Sequence, residues 1–153
     1  MTIKPDVQIN LTKEQYKTLV EMIYLGRWMA NAIRPKTIKK YDDMEQHVFS
    51  FTKQAGLQDC VDYDAKMKMY FTLREFEETV VLPLKEDYDD YTFWDELIHR
   101  LAWRDLERKH GPKAQEGTAT DEQMREKDAL VREYEDELEK NGIDNLEIKN
   151  ATH

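Results

Sequence analysis

The sequence is poor in the residues that interrupt regular secondary structure. Its 153 residues include only five glycines and four prolines. A sandwich or barrel of many short strands needs frequent turns, and therefore more of both. We therefore expect an all-α fold.

Disulfide-forming cysteine and long apolar runs are also missing. The one cysteine, Cys60, has no partner for an internal disulfide, which fits a reducing compartment. No run approaches the roughly 18 apolar residues of a membrane span, and the opening "MTIKPDVQIN" lacks the apolar core of a signal peptide. These features predict a cytoplasmic protein with no membrane partner.

Positive charge is scarce as well. The net charge is −9, and no basic patch strong enough for phosphate binding stands out. Direct binding to nucleic acid or to an anionic membrane is therefore not expected. An acidic mimic of nucleic acid, which would block a basic partner, stays open as a remote alternative.

What the sequence does contain is helical periodicity with start and stop signals. Possible capping boxes begin at Thr12, Thr72 and Thr92, and Pro35, Gly56 and Gly111-Pro112 are stop signals. The segment "LQDCVDYDAKMKM" looks irregular. The pattern predicts four main helices, over 13–34, 39–55, 73 to the region of Pro83, and 93–110. Pro83 is expected to end or kink the third of them.

The composition changes after residue 111. Residues 113–153 hold twelve acidic and six basic residues, with a sparse apolar stripe in "DEQMREKDALVREYEDELEKNG". We expect residues 1–111 to form a helical bundle core. Residues 112–153 are expected to form a linker and a charged, peripheral C-terminal helix.

An arginine interrupts the apolar stretch "MIYLGRWMANAI" in the first predicted helix. A helix that is apolar nearly all round is expected at the centre of a bundle, so Arg27 needs a partner for its charge. Asp105 falls within the apolar face of the fourth helix, and we expect it to pair with Arg27 or Arg34. Such a pair would fix helix register. A guanidinium that reaches the surface along its apolar stem, or a pocket for a small anion, are the alternatives.

Two further positions are candidates for sites. Glu96 and His99 form the Glu-x-x-His step that di-metal carboxylate bundles use, but no second such step accompanies them and both lie opposite the apolar stripe. Trp103 lies on the same polar side, where it predicts a contact with the C-terminal helix or with another chain. No P-loop, GxGxxG or HExxH motif is present. We therefore expect no cofactor, no metal and no catalytic residues, and an enzyme is unsupported.

Two segments carry a resemblance. "LTKEQYKTLVEMIYLGRWMANAI" and "YTFWDELIHRLAWRDLERKHG" resemble a family of small uncharacterised bacterial proteins, over roughly the first 111 residues. This resemblance implies a bacterial cytoplasmic setting and no assigned activity.

These observations favour a non-enzymatic helical module that acts through a protein partner or through homo-oligomers. The alternative is a metal- or small-ligand-binding helical bundle, possibly enzymatic, built around Arg27, Asp105 or the Glu96/His99 pair.

Overall fold

A computed structural model describes residues 7–114 and 116–147, and the chain is mostly helical with one small sheet. The chain divides into two compact units between Asp87 and Tyr88. Its elements, in chain order, are α1 Lys13–Asn31, α2 Lys39–Phe49, α3 Thr52–Ala55, β1 Val61–Asp64, β2 Met69–Thr72, α4 Arg74–Phe76, a π-helical segment Glu77–Val81, α5 Leu82–His110 and α6 Asp121–Asn141.

Helix α1 begins where its capping signal predicts. The Thr12 hydroxyl accepts the backbone N–H of Gln15, and the Gln15 side chain accepts the N–H of Thr12. The helix ends at Asn31 rather than at residue 34. The Asn31 side-chain oxygen accepts the N–H of Ile38 at 2.8 Å, which fixes the turn into α2.

The predicted second helix is broken into two. Helix α2 ends at Phe49, and the short α3 follows. The hydroxyl of Ser50 donates to the carbonyl of His47 at 2.6 Å, and that of Thr52 to the carbonyl of Phe49 at 2.7 Å. Side-chain hydroxyls that bond nearby carbonyls compete with the helical ladder, which accounts for the break.

The segment expected to be irregular forms an antiparallel hairpin. Val61 pairs with Thr72 and Asp64 with Met69. The Asp64 carboxylate accepts the N–H groups of Lys66 and Met67 at 2.7 and 2.9 Å, which closes the turn. The all-α prediction therefore holds in outline and misses this small sheet.

Helix α2 caps the edge of β2 that faces away from β1. The Gln46 amide donates to the Tyr70 carbonyl at 2.9 Å and accepts the Tyr70 N–H at 2.7 Å. One side chain thus replaces a further strand, and the sheet stops at two strands.

The core of the first unit lies among α1, α2, the hairpin and the π-helical segment. Its most buried members come from each of these elements. They are Val20, Val48, Phe49, Leu57, Cys60, Val61, Phe76 and Val81.

Of the two roles predicted for Pro83, an end or a kink of the helix, an end is wrong, and the predicted start at Thr92 is wrong as well. Helix α5 runs from Leu82 through Pro83 to His110. The N–H of Leu82 donates to the carbonyl of Glu77, five residues back, so the turn before the proline is wide. A wide turn accommodates the missing N–H and the bulk of a proline ring, which would clash in a regular helix. Thr72 is likewise not an N-cap, because it pairs in β2 and its hydroxyl bonds Glu77.

In the second unit, the C-terminal part of α5 packs antiparallel to α6. Arg104 contacts Tyr134, and His110 contacts Glu126 at 2.7 Å. Residue numbers thus rise along α5 as they fall along α6. Leu106 and Leu138 are buried. The predicted charged C-terminal helix is thus present, beginning at a Thr120–Gln123 capping box.

The predicted boundary between residues 111 and 112 differs from the division at Asp87 and stays a prediction, as does the bundle arrangement. Residues 148–153 of the predicted appendage lie outside the described residues.

We predict that Gln46→Ala loosens the hairpin. Tyr70 is half-buried, so its N–H and carbonyl lose their partners at a cost of about 1–2 kcal/mol in the free energy of unfolding. Hydrogen exchange of the Tyr70 amide, followed by NMR, should accelerate. The exposed Gln54→Ala is the matched control and should leave that rate unchanged. An unaltered Tyr70 rate in Gln46→Ala would show that water replaces the amide.

Candidate functional site

Arg27 joins α1 to α2. Its Nε lies 2.7 Å from Asp42 Oδ1 and 3.3 Å from Glu45 Oε2, and its side chain is 36% exposed. Two carboxylates one turn apart on α2 therefore hold one guanidinium on α1. This is why a charge is tolerated within the apolar stretch of α1.

The two carboxylates experience opposite environments. Hydrogen bonds from Thr37 and Arg27 lower the pKa of Asp42. Burial raises the pKa of Glu45, although the charge of Arg27 opposes that shift. Arg27 thus offsets part of the cost of placing Glu45 in the interior.

Beside this ion pair lies an open groove of about 370 Å³, which we call the methionine groove. Three flexible methionines form its rim, with Met22 65%, Met29 57% and Met44 50% exposed. The lining residues are Met22, Ile23, Gly26, Arg27, Met29, Ala30, Tyr41 and Met44.

Gly26 is exposed and leaves the floor of the groove open. No described atom beyond its own stretch of helix lies within 4 Å of the position that a Cβ would occupy. Within the first unit, α2 and the core cover the side of α1 that carries Val20, and the central position of α1 in a bundle stays a prediction.

A second groove, of about 570 Å³, lies at the other end of α1 and is called the N-terminal groove. It is lined from α1 by Lys13, Tyr16 and Leu19, and beyond α1 by Ile9, Leu11, Thr12, His47, Val48, Phe51, Gln54 and Ala55. Ile9 is 72% exposed.

The two grooves follow one seam. On α1, Leu19 of the N-terminal groove and Ile23 of the methionine groove are one helical turn apart, and Met44 and His47 have the same relation on α2. From Tyr16 to Ala30 this face spans about 21 Å at 1.5 Å per residue. That length matches a docked helix of about four turns.

The other predicted ion-pair residues have different partners. Arg34 is exposed, and its Nε donates to the Ala30 carbonyl at 2.9 Å. Asp105 bonds Arg104 Nε at 2.8 Å and Arg108 Nη1 at 3.1 Å, and also accepts the Tyr134 hydroxyl. Asp105 is thus held within the second unit by cations one and three residues away in α5 and by a hydroxyl of α6, and its pairing with Arg27 or Arg34 stays a prediction.

Asp105 therefore bonds two arginines of its own helix, α5, and one tyrosine of α6. The hydrogen bond from Arg104, with that from Tyr134, lowers the Asp105 pKa from 3.8 to about 2. The carboxylate is ionised at neutral pH and links the two helices.

The predicted metal candidates pair with their neighbours on α5. Glu96 bonds Arg100 at 2.9 Å, and His99 lies 3.7 Å from Asp95. Across residues 7–114 and 116–147, no group of three metal-ligating side chains comes together.

Trp103, the predicted interface residue, meets α6. Lys127 Nζ lies 5.8 Å above its ring centroid, and the indole is partly covered. Of the two contacts predicted for Trp103, the structure thus provides the one with the C-terminal helix.

The methionine groove was missed from the sequence, although a signal existed. Met22, Gly26 and Met29 recur at helical spacing around a glycine, and Met44 follows on α2. Helical spacing shows that apolar residues share a face, but it does not show whether the chain covers that face.

No family model, curated protein or solved structure matches this chain. Among the described residues, the helices are too short or too polar to cross a bilayer.

We predict that Arg27→Ala destabilises the first unit. The change leaves the buried Glu45 beside Asp42 without the cation that both contact, at a cost of about 1–3 kcal/mol. Urea unfolding at pH 7 measures the loss. Arg34→Ala is the matched control, and because Arg34 is exposed, its effect should stay within about 0.5 kcal/mol. Equal effects of the two changes would refute the role of Arg27.

We also predict an acid-dependent loss of stability that centres on Asp105. Its pKa is lower in the folded chain than in the unfolded chain, so its contribution is present above about pH 4 and declines as the pH falls towards 2. Asp105→Asn should lower stability at pH 7 and flatten this dependence. Urea unfolding at pH 7, 4 and 2.5 measures it. The exposed Asp128→Asn should follow the wild-type curve, because its contact with Lys127 at 3.8 Å is weak.

Proposed function

We propose that this chain is a non-enzymatic helical interaction module, and that the seam between α1 and α2 binds an apolar helix face of another protein. One observation carries the proposal: the methionine groove is apolar, rimmed by exposed methionines and open above Gly26. An exposed apolar surface of this kind marks a binding surface on a protein that remains in water.

Methionine suits this role. Its unbranched thioether side chain adapts to differently shaped apolar partners, and grooves that accept amphipathic helices use it for that reason. Gly26 adds a place where the backbone of a docked helix comes close to α1.

The composition favours a protein partner in the cytoplasm over nucleic acid. The net charge is −9, and the half-buried ion pair of Arg27 stabilises α1 against α2, not a ligand. We place Trp103 and Asp105 in the pairing of α5 with α6, and we propose α1 and α2 as the elements that carry the seam.

We predict that substitutions at Gly26 separate binding from folding. Gly26→Trp fills the groove, whereas Gly26→Ala adds one methyl group and stabilises the helix by up to about 1 kcal/mol. The probe is a stapled helical peptide of about 15 residues, with leucines on one face and glutamine and serine on the other. We expect Gly26→Trp to weaken binding at least tenfold and Gly26→Ala to leave it within about threefold.

Methyl NMR of ¹³C-labelled methionine locates the site. The signals of Met22, Met29 and Met44 should shift as peptide is added, while that of Met67 in the hairpin turn should not. Circular dichroism and thermal melting check that both variants fold. Absence of binding by the wild-type chain, or equal binding by Gly26→Trp, would refute the proposal.

Light scattering at several concentrations distinguishes the two kinds of occupant. A monomer points to a heterologous partner, and a dimer that Gly26→Trp dissociates points to a second copy.

A further inference from the structure

The charges around the seam identify the kind of helix that it binds. We infer that the occupant is an acidic amphipathic helix, despite the net charge of −9 on the chain. This inference rests on the proposed function of the seam and specifies its partner.

The lining of both grooves carries no acidic residue. The basic residues of the lining are Lys13 and His47 in the N-terminal groove and Arg27 in the methionine groove. Arg27 is already paired with Asp42 and Glu45, so it contributes little to attraction of a ligand. The attraction must come from the ends of the seam.

The end near the turn between α1 and α2 is cationic. The segment "IRPKTIKK", residues 33–40, holds four cations and no acidic residue. Lys39 is held by Asp43 at 2.5 Å, which leaves Arg34, Lys36 and Lys40 without an ion pair among the described residues. All three are exposed.

Two of these cations are fixed against residues that line the methionine groove. Arg34 Nε donates to the carbonyl of Ala30 at 2.9 Å. Lys40 Nζ lies 4.9 Å from the ring centroid of Tyr41. Ile33, 90% exposed, precedes them and extends the apolar surface into the cationic end.

The same charges disfavour a second copy as the occupant. The opposite end of the seam carries Lys13, so two copies packed along their seams would oppose cations in either direction. Like charges in contact across an interface oppose binding, whereas carboxylates on the polar face of a partner helix would meet these cations.

The test compares stapled peptides that share one apolar face and differ only in the polar face, which is acidic, neutral or basic. Because the whole chain is acidic, its net charge predicts that the basic peptide binds most tightly. The local cations predict the reverse order. At 50 mM salt we expect the acidic peptide to bind at least tenfold more tightly than the basic one, and at 500 mM the ratio should fall below about threefold.

Reversing the charge of individual residues tests which of them cause the preference for the acidic peptide. The double variant Arg34→Glu, Lys36→Glu should abolish or invert the preference while binding of the neutral peptide stays within about threefold. The control, Lys66→Glu with Lys68→Glu, makes the same change of charge at the hairpin turn, outside the lining of both grooves, and should keep the preference.

The outcomes are distinguishable. If all three peptides bind equally, or the basic one binds best, the acidic-helix inference is overturned and the docking seam stands. If no peptide binds, the proposed function itself fails. An acidic peptide with serines in place of its leucines that binds equally well would show attraction by charge alone and would overturn the inference. A dimer that Gly26→Trp dissociates would also overturn it, since a second copy would then occupy the seam.

Discussion

The contact of Arg27 with Asp42 and Glu45 is the interaction on which the first unit depends. It joins α1 to α2 beside the methionine groove and places a guanidinium next to a buried carboxylate whose pKa burial raises. A buried charge without a partner costs several kcal/mol, so the position of Glu45 in the interior is conditional on Arg27. The relative placement of the two helices follows from this pair and from the apolar residues packed beneath it, Val20, Val48 and Phe49.

Because the pair fixes which faces of α1 and α2 meet, it also fixes which faces stay open. The side of α1 with Val20 is buried, and the side with Met22, Gly26 and Met29 is left to solvent. On α2, Gln46 turns towards the hairpin and holds Tyr70, while Met44 turns towards the groove. One helix thus supports the sheet on one side and the proposed docking seam on the other.

The second unit also joins its helices through carboxylates that contact several basic side chains. Asp105 gathers Arg104, Arg108 and Tyr134, and Glu126 receives Lys109 and His110 at 2.5 and 2.7 Å. Most of these groups are solvent-exposed, so each pair contributes modestly and the buried Leu106 and Leu138 account for more of the stability. Helix α6 is rich in charged residues, yet it packs against the part of α5 that carries Trp103. Long basic side chains can cover apolar surface with their stems, as Lys127 does over the Trp103 ring.

The local sequence was enough to predict the helical class, the capping box at Thr12, the cap at Gly56 and the end of α5 before Gly111, because each depends on residues within a turn or two of one another. It did not determine the hairpin, since two four-residue strands and a turn without glycine give little local signal. It also did not determine the passage of α5 through Pro83, which depends on a wide turn upstream. The partners of Arg27 and the exposure of the face around Gly26 are visible in the folded chain but could not be predicted from the sequence. Helical spacing states which residues share a face, but which face finds a neighbour depends on contacts between segments that are distant in the chain.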